Sequence, residues 1–274
     1  MKVTVLMENT ASDGLACEHG LSLYIEHEGM RYLLDAGASD ALVENAKRLG
    51  IDLTQVDVAI LSHGHYDHSG GFPAFFDLNA QAPLYLRTQA EEETCRTDGA
   101  YIGVPKRLLE RRDRLHPVAG REILAPGVFL LPHSTPGLEQ RGETAHLFRR
   151  TAEGIVPDDF SHEQTLIFTT PAGLVLFSSC SHAGADTVTL EAMDAFPGLP
   201  IRAFFGGFHL MGLGGDATLG VCPEEVEALG RRLLALGVEE IWTGHCTGAP
   251  AFALLKPILG DRLHALSSGV TVKI

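Results

Sequence analysis

The chain is 274 residues long, carries a net charge of −14, and is 45% hydrophobic against 20% charged. That length allows one large domain or two small ones, and the composition is that of an ordinary soluble globular protein. The acidic balance argues against nucleic acid and anionic membrane as partners, because both call for a basic face.

The five cysteines, Cys17, Cys95, Cys180, Cys222 and Cys246, are widely spaced and form no CxxC pair. Neither a disulfide framework nor a thiolate zinc knuckle is expected, and free thiols in a reducing cytoplasm are. Met1-Lys2-Val3-Thr4-Val5-Leu6 is too short and too quickly polar for a signal peptide. No apolar run approaches the ~18 residues of a membrane span. A cytoplasmic location follows as the expectation.

Val3 to Glu8 reads as the first strand. Leu21 to His27 and Met30 to Asp35 are strand-like runs joined by Glu28-Gly29, which is hairpin chemistry. Ser39 is placed to cap a helix over Ala41 to Leu49, stopped by Gly50. Val56 to Ser62 is apolar and β-branched and reads as a buried strand. Phe72 to Leu78 should be a short helix and Pro83 to Arg87 a strand.

Residues 90–121 are the least regular part. Within them Pro105 to Leu115 reads as a basic helix carrying Lys106, Arg107, Arg111, Arg112 and Arg114. Its bland reading is a solvated face paired with Glu110 and Asp113. Its functional reading is a lid in which Arg111 and Arg112 grip a phosphate-bearing substrate.

Glu122 to Leu131 has strand pieces broken by Pro126-Gly127, and His133 to Arg141 reads as a loop. Strands are expected over Ala145 to Arg150, Thr165 to Thr170, Leu174 to Ser179, Ile201 to Phe205 and Glu239 to Thr243, with two short ones at the end. Helices are expected over Thr187 to Phe196, Pro223 to Leu236 and Ala251 to Leu259. No compositional linker divides the chain. One α/β domain over 1–274 is therefore expected, with two sheet layers each covered by helices and a basic helical insertion around 90–121.

The chemistry concentrates in His63-Gly64-His65-Tyr66-Asp67-His68, at the exit of the Val56 to Ser62 strand. Three imidazoles and a carboxylate within six residues are ligands for a divalent metal. In extended backbone His63 and His65 point the same way, and Gly64 between them lets the backbone approach an ion. Asp67 and His68 are adjacent and should point apart, so they do not easily join the first pair. The economical solution is two ions, with His63 and His65 on one and Asp67 and His68 on the other.

This stretch, with Ser62 before it and Gly70-Gly71 after it, resembles the HxHxDH signature of the metallo-β-lactamase superfamily. The resemblance implies an αββα four-layer sandwich holding one or two divalent ions, Zn first and Mn or Fe as alternatives. It implies that Asp35 orients a ligand from behind, and that His245, in the late turn Gly244-His245-Cys246-Thr247-Gly248, is a ligand. His182 is taken as a further ligand. Cys180 stands about where the family has a bridging aspartate, so it ligates as a thiolate or simply packs. His133 and His162 are the substitutes.

Cys180-Ser181-His182-Ala183-Gly184, Gly206-Gly207-Phe208-His209-Leu210 and the late Gly-His turn together resemble the dihydropteroate-synthase-like branch. Its named activity is 7,8-dihydropterin-6-methyl-4-(β-D-ribofuranosyl)aminobenzene-5′-phosphate synthase. The resemblance makes Asp67 and His209 the catalytic candidates, with His209 a metal ligand or a general acid. The function it implies is transfer of a pterin group from a diphosphate-bearing small molecule to an arylamine. The alternatives are a metal-dependent hydrolase of phosphoester, thioester or lactone bonds, in which the ion lowers the pKa of water toward ~7, and a non-catalytic metal-dependent sensor.

Overall fold

The computed structural model describes residues 1–152 and 154–274, and they form two compact units. The first comprises residues 1–119, 146–158 and 266–274. Strands and helices are numbered along the chain. This unit contains β1 (Lys2–Met7), β2 (Ser22–His27), β3 (Met30–Leu34), β4 (Val58–Ile60), β5 (Leu84–Arg87), β7 (Leu115–Val118) and β17 (Thr271–Lys273), ordered β17-β1-β2-β3-β4-β5-β7 in one sheet. The β2–β3 hairpin closes through Glu28 and Gly29, with φ of 48° and 82°, the two positive values of a type I′ turn.

From β3 onward the pairings are parallel, so the chain leaves β3 and β4 at the same edge. Asp35 follows β3, and the histidine motif follows β4. The motif passes through one helical turn, α2 (Tyr66–Ser69). Phenylalanines of α3 (Phe72–Leu78) and Leu42 and Ala46 of α1 (Ala41–Arg48) pack with Leu33, Ala59, Leu84 and Leu86 in one buried cluster. Each such side chain removed from water contributes about 1.5–3 kcal/mol, which fixes the edge that carries the motif.

The second unit comprises residues 120–145 and 159–265. Its sheet runs β16-β15-β14-β13-β12-β9-β8. These strands are β8 (Glu122–Ala125), β9 (Val128–Pro132), β12 (Gln164–Thr170), β13 (Gly173–Phe177), β14 (Ile201–Phe205), β15 (Glu240–Thr243) and β16 (Leu263–Ala265). β13, β14, β15 and β16 are parallel, with Leu176, Phe204, Ile241 and Leu263 in register. Helices α6 (Ala185–Ala195), α7 (Pro223–Ala235) and α8 (Ala249–Leu259) place Val188, Leu229, Leu233 and Leu255 in that sheet's core. The loops bearing His182, His209 and His245 leave β13, β14 and β15 at the carboxyl end of the sheet, where parallel sheets bind ligands.

Several elements differ from expectation. The helix expected over Pro105 to Leu115 is the single turn α4 (Lys106–Leu109), and Leu115 already begins β7. Leu108 is the buried anchor of that turn, and the arginines after it offer no apolar stripe to continue it. Arg114 turns inward, donating to the carbonyls of Asn79 at 2.9 Å and Ala82 at 3.2 Å. The strand expected over Val56 to Ser62 is shorter, because Ser62 N–H leaves the ladder for Asp35. A three-stranded sheet of β6 (Glu93–Arg96), β10 (Leu147–Thr151) and β11 (Gly154–Pro157) belongs to the first unit and was legible only at β10. Helix α5 (Glu139–Ala145) occupies part of the expected loop from His133. Among the described residues no helix is long and apolar enough to cross a membrane.

Candidate metal centre

In the first unit the site is built around Asp35, which is fully buried and has φ 58°. Its Oδ1 accepts Ser62 N–H at 2.7 Å, and its Oδ2 accepts Ser62 Oγ–H at 2.7 Å. The same Oδ2 lies 2.8 Å from His68 Nδ1. Ser62 Oγ gives its one proton to Asp35, so its contact with His63 Nδ1 at 2.8 Å is one in which the imidazole donates. Both His63 and His68 are thereby fixed with Nδ1 protonated, and Nε2 is the nitrogen each can turn to an ion.

The ligand atoms of His63 lie within 4.8 Å of those of both His65 and His68. The ring of His63 is 4.1 Å from that of His68 and 4.7 Å from that of His65. Asp67 and His68 do not point apart: Asp67 Oδ2 is 3.5 Å from His68 Nε2. The helical turn of α2 produces this, where an extended backbone would have separated them. Asp67 Oδ2 also meets His19 Nε2 at 3.4 Å, a neighbour the sequence left in a polar loop. Fully buried Asp158 offers a carboxylate oxygen within 4.8 Å of the His65 ligand atom. Gly64 also lies against the adjoining backbone, where a Cβ would fall 3.0 Å from Ala90 O and 3.2 Å from Ala90 Cα, tighter than ordinary contact.

In the second unit His182 is oriented by Glu163, whose Oε1 lies 2.8 Å from His182 Nδ1. The ring is also stacked on Phe160 at 4.9 Å and 15°. Burial draws the His182 pKa below the usual imidazole value, against the pull of Glu163. Glu163 carries a second partner, His133 Nε2 at 2.7 Å, and His133 Nδ1 lies 2.7 Å from Glu191 Oε2. Both nitrogens of His133 are therefore engaged, which removes it as a substitute ligand. Burial lowers the His133 pKa, but its bonds to Glu163 and Glu191 outweigh that and raise it to about 9. Burial likewise opposes Glu191, yet His133, Ser134 N and Thr135 hold it at about 2. Glu163 is also kept well below the usual carboxylate range, against burial, by His182 and His133.

Cys180, His245 and Cys246 bring ligand atoms within 4.8 Å of one another. Cys246 Sγ accepts His209 N–H at 3.3 Å, and Gly206, with φ 136°, passes so close to Ser178 that a Cβ would fall 1.8 Å from its carbonyl oxygen. The His209 ring is 4.5 Å from that of His182, and its Nδ1 is buried without a hydrogen-bond partner. Phe160, Ser181, His209 and His245 all have φ between 49° and 53°. Such conformations gather where a site overrides backbone preference. His162 is buried on the loop after Asp159. Arg111 stands over Phe76 at 5.3 Å and 3.6 Å from Asp113, and exposed Arg112 is paired with Glu91.

A divalent ion fits this donor set. Imidazoles whose Nδ1–H groups are held by a buried carboxylate, directly or through Ser62, are the arrangement that presents Nε2 to a metal.

The comparisons agree. The chain matches the metallo-beta-lactamase superfamily over residues 16–192, more than half of its length. The chain belongs to the metallo-β-lactamase superfamily. Its fold is the αββα sandwich of that superfamily. It is 27% identical, over 93% of its length and 90% of the relative's, to 7,8-dihydropterin-6-methyl-4-(beta-D-ribofuranosyl)-aminobenzene-5'-phosphate synthase of Methanocaldococcus jannaschii. The crystal structure of Tm1679, described as a metal-dependent hydrolase of the beta-lactamase superfamily, is 28% identical with a TM-score of 0.84, covering 100% of this chain and 99% of that one. Zn(2+)-bound PqqB from Methylobacterium extorquens shares the fold at 13% identity, with a TM-score of 0.61 and both chains covered in full. The superfamily member described here is a metal-dependent enzyme.

Proposed function

We propose that this metalloenzyme transfers a dihydropterin group, through its 6-methylene carbon, from diphosphate to the nitrogen of a phosphorylated arylamine. The observation that carries the metal-dependent part is Asp35 holding His68 directly and His63 through Ser62. What supports the substrate class is the name of the branch relative, matched along nearly the whole of both chains. The ligands in this reading are His63, His65, Asp67 and His68 of the first unit and His182 and His245 of the second, with Cys180 as a further candidate.

A bound divalent ion would neutralise phosphate charge and polarise the electrophile. The chain's own residues do the rest. Asp35 and Glu163 orient imidazoles. In the reaction a C–N bond forms to the pterin methylene, the C–O bond to diphosphate breaks, and the amine gives up one proton. His209 is the residue we assign to receive that proton, at its buried Nδ1. Arg111 and Arg112 would contact the phosphate of the substrate.

The second reading is a metal-dependent hydrolase, favoured by the description of Tm1679. Diphosphate release from 6-hydroxymethyl-dihydropterin diphosphate by Zn-, Mn- and Fe-loaded protein, with and without arylamine, separates the two. Release that requires the arylamine supports transfer. Absence of release, with turnover of simple phosphoesters or thioesters, supports hydrolysis.

A further inference from the structure

We infer that His133 is a positioning residue: by bridging Glu191 to Glu163 it holds His182 in the tautomer and orientation that binding a divalent cation requires. The inference rests on His182 being a ligand. It is argued from a continuous line of contacts inside one unit. Glu191 lies on α6, an eleven-residue helix whose Val188 and Ala192 are anchored in the core. Its Oε1 accepts Ser134 N–H at 2.8 Å, and Thr135 N–H and Oγ1–H at 2.8 Å each. That leaves Oε2 to face His133 Nδ1 at 2.7 Å. His133 then meets Glu163 Oε2 at 2.7 Å through its other nitrogen.

Glu163 thus has its two oxygens assigned to different tasks. Oε2 takes His133 and Ala183 N–H at 3.3 Å, and Oε1 takes His182 N–H at 3.2 Å and His182 Nδ1 at 2.8 Å. With Oε2 pinned, Oε1 cannot swing away from His182, and the imidazole must present Nδ1–H to it. Phe160 fixes the plane of the ring from its face. The result ties a ligand loop to a core-anchored helix through a histidine whose side chain is only 4% exposed and whose two nitrogens both face carboxylates. A histidine held between two carboxylates donates from both nitrogens, and no other side chain of similar size can do this across the same span.

The test measures Zn dissociation constants by competition with a chromophoric chelator for wild type, His133→Gln, His182→Ala and the double variant. Imidazole 15N spectra of the metal-free proteins are recorded beside them. His133→Gln should weaken Zn binding about 10-fold and move His182 away from the Nδ1–H tautomer, and it should weaken nothing further in the His182→Ala background. If His133→Gln does not fold, Glu191→Gln, which keeps His133, should give a smaller loss in the same direction. Wild-type affinity in both the His133 and the Glu191 variants, with a loss in His182→Ala, overturns the inference alone. Wild-type affinity in His182→Ala overturns the assignment of that ligand as well.

Discussion

Asp35 and Glu163 set histidines in the two units by different means. Asp35 is satisfied at short range: Ser62 N–H, Ser62 Oγ–H and His68 Nδ1 all come from a single strand exit. Glu163 takes a second imidazole, His133, which is itself held by Glu191, so four residues from separate parts of the chain are needed. A buried carboxylate must be compensated. The first unit does it with local donors, the second with a cation shared between two acids. The first arrangement should therefore fail all at once when its acid is altered, whereas the second should fail in steps.

The strongest way to break the comparison is Asp35→Asn. The new amide would face Ser62 Oγ–H and His68 Nδ1–H with its own N–H groups, donor against donor. His68 would have to take the other tautomer, giving up its Nε2 lone pair. Zn affinity should fall about 10–100-fold, read by chelator competition, and an affinity within twofold of wild type would sink the orienting role.

This contrast also explains what the sequence could and could not disclose. His63, His65, Asp67 and His68 share one dense motif at a strand exit, so their grouping was readable from spacing, whereas the place of Asp35 behind them was readable only from the family resemblance. The convergence of Asp67 on His68 was not, because it depends on α2 being helical. Glu163 and Glu191 carried no local signal. Glu163 sits just before a strand and Glu191 in the middle of a helix, where a carboxylate ordinarily reads as solvated surface. The clue available was His133, a lone histidine at the end of an apolar strand piece, whose partners only the folded chain supplies. The arginine segment misled for a simpler reason: its charge pattern suggested a helix, but after Leu108 and Leu109 no apolar stripe continues, and the next buried leucine, Leu115, already belongs to β7.

A pH series sharpens the comparison next. The His133 pKa is raised from 6.5 to about 9 in the folded chain, so its contribution is fully present below 6.5 and is lost as pH rises through about 9. Glu191 is lowered from 4.5 to about 2, so its contribution is present above 4.5 and is lost as pH falls through about 2. The thermal midpoint should decline by several degrees between pH 6.5 and 9, on a scale of ~2–4 °C per kcal/mol for a chain of this size. His133→Gln should flatten that decline. An equally steep decline in the variant would place the titration elsewhere.

The smallest effect belongs to Arg111 and Arg112. Their ionic partners are solvent-accessible, Asp113 largely and Glu91 in part, and such pairs contribute about 0–1 kcal/mol, while Phe76 beneath Arg111 keeps its place in the core without it. Replacing both with Ala should leave the melting temperature nearly unchanged and raise KM for a phosphate-bearing substrate several-fold. An unchanged KM would remove them from substrate binding.

The most direct measurement is the imidazole 15N spectrum of the metal-free chain in mildly alkaline buffer, followed by Zn titration. The account predicts His63, His68 and His182 as Nδ1–H tautomers whose Nε2 resonances shift on adding Zn. Nε2–H tautomers at these positions, or resonances that ignore Zn, would contradict it.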